Sequence, residues 1–282
     1  MSGIHDSGRG AGRAEAGYRW PDETVTVARA EQERLHRWCG IEPQVFGGTA
    51  DPALVARPPI LHNTAAIRAT RPAWGPVHVV QRIEQRRPIA LDESLVLSGE
   101  ITALKPHARG VMLVSRWSYR DAAGAEVFVV TPDVLMLDPQ PAAGTVREAR
   151  ASAAVDDTAL PAETLAHHQC TPSSTLGYCE GSENLIHLDP DYARGFGLRA
   201  PIIAGVQTIN FLVAPLYRES APGALAFRVV FRRPVFWDEA LEIRGRRDVA
   251  GRLAATWAIN EAGRVVADLD IVAPARLLSE DA

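Results

Sequence analysis

The sequence is poor in lysine, cysteine and long apolar runs. Its 282 residues carry 30 Lys plus Arg against 34 Asp plus Glu, a net charge of −4, so there is no basic excess to attract nucleic acid. The three cysteines are odd in number and show no C-x-x-C spacing, which disfavours a disulfide framework or a zinc ribbon. No window approaches the roughly 18 apolar residues of a membrane span, and the first residues lack the apolar run of a signal peptide. We therefore expect a cytoplasmic protein without nucleic-acid or membrane partners.

The composition predicts a folded chain of one large domain or two of ordinary size. It is 46% hydrophobic and 23% charged, which suffices for a sizeable core. Residues 1–20, rich in Gly, Ser and Arg, read as a flexible tail. We predict a first domain over 21–140, an Ala-rich linker with prolines over 141–162, and a second domain over 163–282.

Apolar and polar residues alternate over 77–137, and this period predicts four strands. Before these strands the sequence predicts a helix that ends at Gly40, followed by a loop in which Pro58-Pro59 acts as a helix breaker. The second half repeats the order: short helices, an apolar helix over about 205–217, and three or four strands to the end.

The two halves are related in sequence. Residues 82–99 align without a gap with residues 228–245, keeping Arg-Arg-Pro, Asp-Glu and the closing Gly in register. A second echo pairs 59–62 with 201–204. Internal similarity of this length indicates a duplicated unit. Helices followed by antiparallel strands predict an α+β fold, with each unit a sheet wrapped around one central helix and the units side by side.

The segment 178–205, YCEGSENLIHLDPDYARGFGLRAPIIAG, carries the clearest chemistry. Asn184 and His187 lie in a predicted loop between helices, where catalytic groups are often presented. Asp189-Pro190 is typical of a helix start. Gly205 opens the apolar helix, and the free N–H groups there suit a developing oxyanion.

This segment resembles the hydratase-2 motif of MaoC-like enzymes, roughly Y-(S/A)-x-x-S-G-D-x-N-P-(L/I)-H-x-D-P followed by G-F-x-x-P-I-x-H-G. The matching positions are Tyr178, Gly181, Asn184, Ile186, His187, Asp189, Pro190, Ala193, Gly197, Pro201, Ile202 and Gly205. The resemblance is strongest over about 170–275. The first half looks like the family's degenerate N-terminal hotdog, so the resemblance implies a double hotdog.

The resemblance also implies an activity. Family members add water to a 2-enoyl thioester, or remove it from a 3-hydroxyacyl thioester, without a metal or redox cofactor. Carried over, His187 is the general acid/base, the Gly205 backbone N–H holds the thioester carbonyl, and Asn184 shapes the loop. The substrate would be an acyl group on coenzyme A or an acyl carrier protein.

The sequence departs from the motif where the family has its catalytic Asp, because that position is Ser182. A serine hydroxyl cannot shuttle protons near neutral pH as a carboxyl can. Glu180 stands for the motif Ser and Ala204 for the His before the glycine. Ser182 itself, or Glu183 or Glu180 as a replacement carboxylate, is the candidate helper.

Four further residues are candidates for lining the acyl site: Ile203, Ala204, Tyr178 and His62. For Tyr178 the alternative is packing in the core, and for His62 it is a structural role. The nearby His and Cys residues match no standard metal spacing, so no metal is predicted.

Three other functions stay open. The missing Asp favours double-bond isomerisation or cyclisation on the same fold. An inactive partner subunit is the second alternative, and a hotdog thioesterase the last. Monomer and homodimer are both compatible with two fused units.

Overall fold

The computed structural model of the chain describes residues 12–139 and 162–272. Most of the predicted tail and nearly all of the predicted linker therefore lie outside the described residues. The described end of the tail is packed: β1 (Arg19–Val25) begins there, and Trp20 is buried against Trp117 with ring centroids 4.4 Å apart. The first unit thus includes residues that the composition assigned to the tail.

The first half consists of one strand, three α-helices and four further strands, of which β3, β4 and β5 form a meander and β2 pairs with β5. After β1 come α1 (Arg29–Cys39), α2 (Pro52–Val55), α3 (Arg57–Thr70), β2 (Gly75–Gln85), β3 (Leu95–His107), β4 (Gly110–Arg120) and β5 (Glu126–Leu137). As predicted, α1 ends at Gly40, whose φ of 63° is the left-handed conformation that favours glycine. The four predicted strands are present.

The second half repeats this order. Its elements are β6 (Glu163–Gln169), α4 (Pro172–Tyr178), α5 (Pro190–Gly195), α6 (Gly205–Glu219), β7 (Leu225–Phe231), β8 (Ala240–Arg247), β9 (Leu253–Asn260) and β10 (Val265–Ile271). The strand β6 was not predicted, because it lies at the sheet edge with exposed and half-buried residues and shows little apolar alternation.

The strands form one continuous ten-stranded sheet in the order β1-β3-β4-β5-β2-β7-β10-β9-β8-β6, with every neighbouring pair antiparallel. We predicted two separate sheets, each wrapped around its own helix, whereas the structure has one continuous sheet. The sheets of the two units merge because β2 pairs with β7. Such a pairing joins residues far apart in sequence, and local periodicity carries no signal for it.

The β2–β7 pairing supports the duplication that the sequence predicts. Arg82 lies directly opposite Arg228, and these two residues are equivalent in the ungapped alignment of 82–99 with 228–245. When equivalent residues of two antiparallel strands face each other, a local two-fold axis passes between them, as in a symmetric dimer. The two units therefore meet as a pseudo-dimer within one chain.

The helix α3 corrects two expectations about the first half. Pro58 and Pro59 do not break a helix; they occupy the first turn of α3, where proline is tolerated because those N–H groups have no helical acceptor. The echo between 59–62 and 201–204 is also wrong. Residues 59–62 are helical, whereas 201–204 precede α6, and the register of the repeat places Pro59 on Gly205.

The helix α6 is the most deeply buried element, with every residue from 206 to 217 buried. Its one buried asparagine joins both halves: Tyr178 Oη donates to Asn210 Oδ1 at 2.6 Å, and Asn210 Nδ2 donates to Asp51 Oδ2 at 2.7 Å. Asp51 also pairs with His36 Nε2 at 3.0 Å. Since buried polar groups are costly unless paired, this chain of contacts fixes α4, α6 and the first half relative to one another.

Candidate active site

The motif segment begins as a loop between α4 and α5, and both of these helices have a capped start. Thr171 and Ser174 form a capping box at the start of α4, and Asp189 caps α5 by accepting from the N–H groups of Asp191 and Tyr192. Between them, Gly181 has a φ of 75°, which turns the chain out of α4. Asn184 then caps a single 3₁₀ turn that carries His187.

His187 is held through both ring nitrogens. Nδ1 lies 2.9 Å from the Ile202 carbonyl oxygen, and Nε2 lies 3.1 Å from Asn184 Nδ2. A carbonyl only accepts, so Nδ1 carries the proton and Nε2 presents its lone pair to the Asn184 amide. Asn184 Nδ2 also donates to the Pro76 carbonyl of β2 at 3.1 Å. The first half therefore helps to orient the imidazole.

Burial sets the protonation state of His187. Removal from water lowers its pKa from 6.5 to about 4, and the bond to the Ile202 carbonyl offsets only part of that effect. The imidazole is therefore neutral at physiological pH. Its Nε2 can take up a proton during a reaction, whereas the free protein holds no imidazolium there.

Ser182 and the two neighbouring glutamates are oriented differently from one another. Ser182 Oγ accepts from the Asn184 N–H at 3.2 Å, so the hydroxyl braces the loop. Glu180 forms an ion pair with Arg34 at 3.0 Å and is 74% exposed. Glu183 lies 4.0 Å from Arg68 and is 57% exposed. Both glutamates are thus engaged with arginines of the first half, and their role as replacement carboxylates stays a prediction.

Gly205 begins α6, as predicted. Its cap, Ala204, has an extended backbone and makes no side-chain cap bond, so the first-turn N–H groups have neither a helical acceptor nor a side-chain cap. Ile203, which is buried, fixes this segment by donating its N–H to the Val235 carbonyl at 2.9 Å. The start of α6 is therefore a fixed group of donors close to the residue that anchors His187.

The imidazole of His78 is a neighbour of Gly205 that the sequence did not indicate. A methyl group built on Gly205 would lie 2.7 Å from His78 Nδ1, so the absence of a side chain at 205 makes room for this ring. His78 belongs to β2 and also packs on Phe231, with ring centroids 4.6 Å apart. A lone histidine in an alternating strand gives no sign of a contact with a helix start far along the chain.

Two of the predicted acyl-site residues contribute to structure. Tyr178 is 1% exposed and donates to Asn210 in the core. His62 lies in α3, pairs with Glu23 through Nε2 and stacks on Trp117, with centroids 5.1 Å apart. These contacts match the core and structural alternatives for both residues. Ile203 and Ala204, by contrast, adjoin Gly205.

Neither a metal centre nor a membrane span is found in the described residues. Across 12–139 and 162–272, no group of three or more His, Cys, Asp or Glu side chains could hold a metal ion. Within the same ranges, no helix is both long and apolar enough to cross a bilayer.

The comparisons with known proteins identify the fold. No family model and no curated protein matches the sequence. HtdX (Rv0241c) of Mycobacterium tuberculosis is 18% identical, with a TM-score of 0.71 over 88% of this chain and 97% of its own. A MaoC-like dehydratase is 16% identical, with a TM-score of 0.69 over 91% and 98%. Rv0216 of M. tuberculosis, described as a double hotdog, is 15% identical, with a TM-score of 0.62 over 91% and 95%.

These likenesses confirm the double hotdog fold. They extend over both halves of the chain, so the fold covers more than the segment that carries the motif. At these identities they show the fold alone, and the chemistry has to be argued from the site itself.

Proposed function

We propose that this protein is a hydratase or dehydratase of the MaoC-like class, acting on an acyl thioester of coenzyme A or an acyl carrier protein. The carrying observation is the tautomer of His187: its Nδ1–H is fixed on the Ile202 carbonyl, which leaves Nε2 as the proton acceptor. The match of the segment 178–205 to the hydratase-2 motif and the fold shared with a MaoC-like dehydratase support the proposal.

In the hydration direction, His187 Nε2 takes a proton from water while the water oxygen bonds to C3 of the enoyl thioester. The electrons of the C2–C3 double bond move toward the thioester carbonyl, and the imidazolium then returns the proton to C2. Water that donates to Nε2 competes with the Asn184 amide, which lies 3.1 Å from the same atom. Dehydration is the reverse of these steps, and neither direction calls for a redox cofactor.

The negative charge that develops on the thioester oxygen needs a donor. The N–H of Gly205 and the positive end of α6 supply one, since backbone donors fixed in a dry site stabilise such charge strongly. Both groups belong to the segment that also anchors His187, because Ile202 and Gly205 are three residues apart in one chain segment. Base and oxyanion donor are thereby held in one rigid unit.

Isomerisation of a double bond is the second candidate, and Ser182 is the observation that favours it. Moving a double bond needs a group that carries a proton between carbons but no positioned water. A site whose one well-placed base is His187, with a hydroxyl where the motif has a carboxylate, fits that requirement.

The test is turnover of a short 2-enoyl-CoA by the wild type, His187→Ala and Ser182→Asp. We expect measurable hydration by the wild type and loss of it in His187→Ala. In Ser182→Asp the rate should rise by roughly tenfold or more, since a carboxylate can accept the Asn184 N–H as the hydroxyl does and also act as a base. Ser173→Asp, the same change at an exposed position of α4, is the matched control.

Each result has a distinct meaning. If the wild type shows no turnover and Ser182→Asp is active, the scaffold is intact and the natural reaction of the protein is isomerisation or cyclisation. If neither the wild type nor Ser182→Asp turns over enoyl or 3-hydroxyacyl thioesters, the proposal is contradicted and an inactive partner subunit is favoured.

A further inference from the structure

His78 is a polar side chain at the start of α6 that the proposed reaction does not use. It is in β2 of the first half, at a bulge where the pairing with β5 shifts register between His78 and Val80. Its ring lies against Gly205, the first residue of α6, and against the aromatic ring of Phe231. The first half therefore places an imidazole at the helix start where the thioester oxygen is proposed to bind.

Both ring nitrogens of His78 are buried and make no hydrogen bond of normal geometry within the described residues. The Gln81 side chain and the Val80 backbone interact with the ring and raise its pKa, which offsets only part of the effect of burial. Leaving a buried polar group unpaired costs about 1–3 kcal/mol. A native protein rarely keeps two such groups on one ring unless a ligand or water completes them.

We propose that His78 donates a hydrogen bond from its ring to the thioester carbonyl oxygen bound at the start of α6, beside the Gly205 N–H. The inference rests on the proposed function and deepens it, because it supplies the second donor of the oxyanion site. His78 would thus be a catalytic residue contributed by the half that lacks the motif.

The charge state of the ring suits a donor better than a base. Burial lowers the pKa of His78 to about 3, so the ring stays neutral and keeps one N–H at physiological pH. A neutral imidazole at a helix N-terminus polarises a carbonyl in the same way in triosephosphate isomerase. The pseudo-equivalent of His78 in the repeat register is Ala224, which is exposed, so the other half has no counterpart to this ring.

The direct readout is the carbonyl stretching frequency of ¹³C-carbonyl-labelled butyryl-CoA, a saturated thioester that binds without reacting. Hydrogen bonds to a carbonyl lower this frequency. We expect a lowered frequency in the wild type, most of the shift lost in His78→Phe, and part of it retained in His78→Gln, whose amide can donate. His107→Phe, the same replacement at an exposed histidine of β3, should leave the shift intact.

Turnover of the short enoyl-CoA gives the kinetic counterpart. Removing one oxyanion donor typically lowers kcat by about 100- to 1000-fold, so His78→Phe should lose activity on that scale. His78→Gln should recover part of it. A role in packing alone would predict the opposite ranking, because Phe fills the space of the ring better than Gln does.

The outcomes separate the two claims. Binding of butyryl-CoA to His78→Phe with the wild-type carbonyl frequency would overturn the role of His78 and leave the proposed function standing. Failure of the wild type to bind any acyl thioester would overturn both. Should His78→Phe not fold, ¹⁵N spectra of the wild-type His78 ring decide: the N–H resonance shifts on butyryl-CoA binding if the inference holds and stays in place if it does not.

Discussion

The two halves share a fold but enter their long helices differently. In the first half, α2 runs through Ala56 directly into α3, with prolines in the first turn. In the second half, a loop and the extended segment ending at Ala204 precede α6, which begins at Gly205. Pro58 and Pro59 carry no N–H, so the first turn of α3 offers fewer donors than the first turn of α6. Under the proposed function, this difference leaves one of the two helix starts able to bind the thioester oxygen.

The histidines near the two long helices differ in the same sense. His62 in α3 is paired with Glu23 through Nε2 and stacked on Trp117, so its ring serves the packing of the first half. His187 has its Nδ1–H fixed on the Ile202 carbonyl, and its Nε2 lone pair faces the Asn184 amide, with which a water can compete. Within the described residues, neither ring nitrogen of His78 makes a hydrogen bond of normal geometry. Unused hydrogen-bonding capacity therefore collects around the start of α6.

The largest expected effect contrasts His187 with His62. His187→Gln should lower hydration by about 100-fold or more, because the proton acceptor is lost. Its melting temperature should stay near that of the wild type. His62→Gln should do the reverse, losing about 1 kcal/mol of stability with kcat unchanged. Enzyme assays beside thermal melts check both, and a large loss of kcat in His62→Gln would contradict a purely structural role for His62.

The buried contacts that join the halves give the next effect. Asn210→Ala leaves Tyr178 and Asp51 without their partner in the core, and we expect a loss of about 3 kcal/mol in the free energy of unfolding. Tyr178→Phe removes one partner of this set and should cost about 1 kcal/mol. Denaturant titrations measure both. Equal, small losses would show that these contacts do not hold the units together.

The contact between Gly205 and His78 predicts a compensating pair. Gly205→Ala places a methyl group 2.7 Å from His78 Nδ1, and overpacking of this kind costs about 1–3 kcal/mol. In a His78→Ala background the same change should cost less, since the ring is gone and only the Cβ of residue 78 remains, 3.1 Å from the new methyl group. A double-mutant cycle by chemical denaturation measures the coupling. Additive losses would mean that the two residues are not in contact.

The pH dependence is the smallest effect near neutrality. With the pKa of His187 lowered to about 4, Nε2 accepts protons at all higher pH, so kcat/KM for hydration should be flat between about pH 6 and 8 and fall as pH drops through about 4. Unfolded histidines titrate near 6.5, so stability should already decline as pH falls from 6.5. A profile with its inflection near 6.5 would place His187 in water instead.

The sequence predicted the strands well because each alternates on its own. The strand β5 ends at Leu137, where the alternating stretch 77–137 ends. The ungapped alignment of 82–99 with 228–245 makes Arg82 and Arg228 equivalent, and these residues face each other in the sheet. The single sheet and the edge strand β6 depend on pairing between distant segments, which periodicity does not encode. The helix α3 was missed because two prolines were read as a breaker instead of a first turn.

Within the site, the local part was predictable and the long-range part was not. His187, Asn184 and Gly205 lie in one continuous motif, so spacing places them together. His78 reaches Gly205 only through the fold. The orientation of Glu180 and Glu183 toward arginines of the first half likewise depends on how the two units meet.

The product formed from a short 2-enoyl-CoA in deuterated water, identified by mass and NMR, decides between hydration and its alternatives. We expect an intact thioester that has gained one water, with a hydroxyl on C3 and one solvent deuterium on C2, and no such product from His187→Gln. A thioester with its double bond moved and no water gained would contradict hydration, as would release of the free acid.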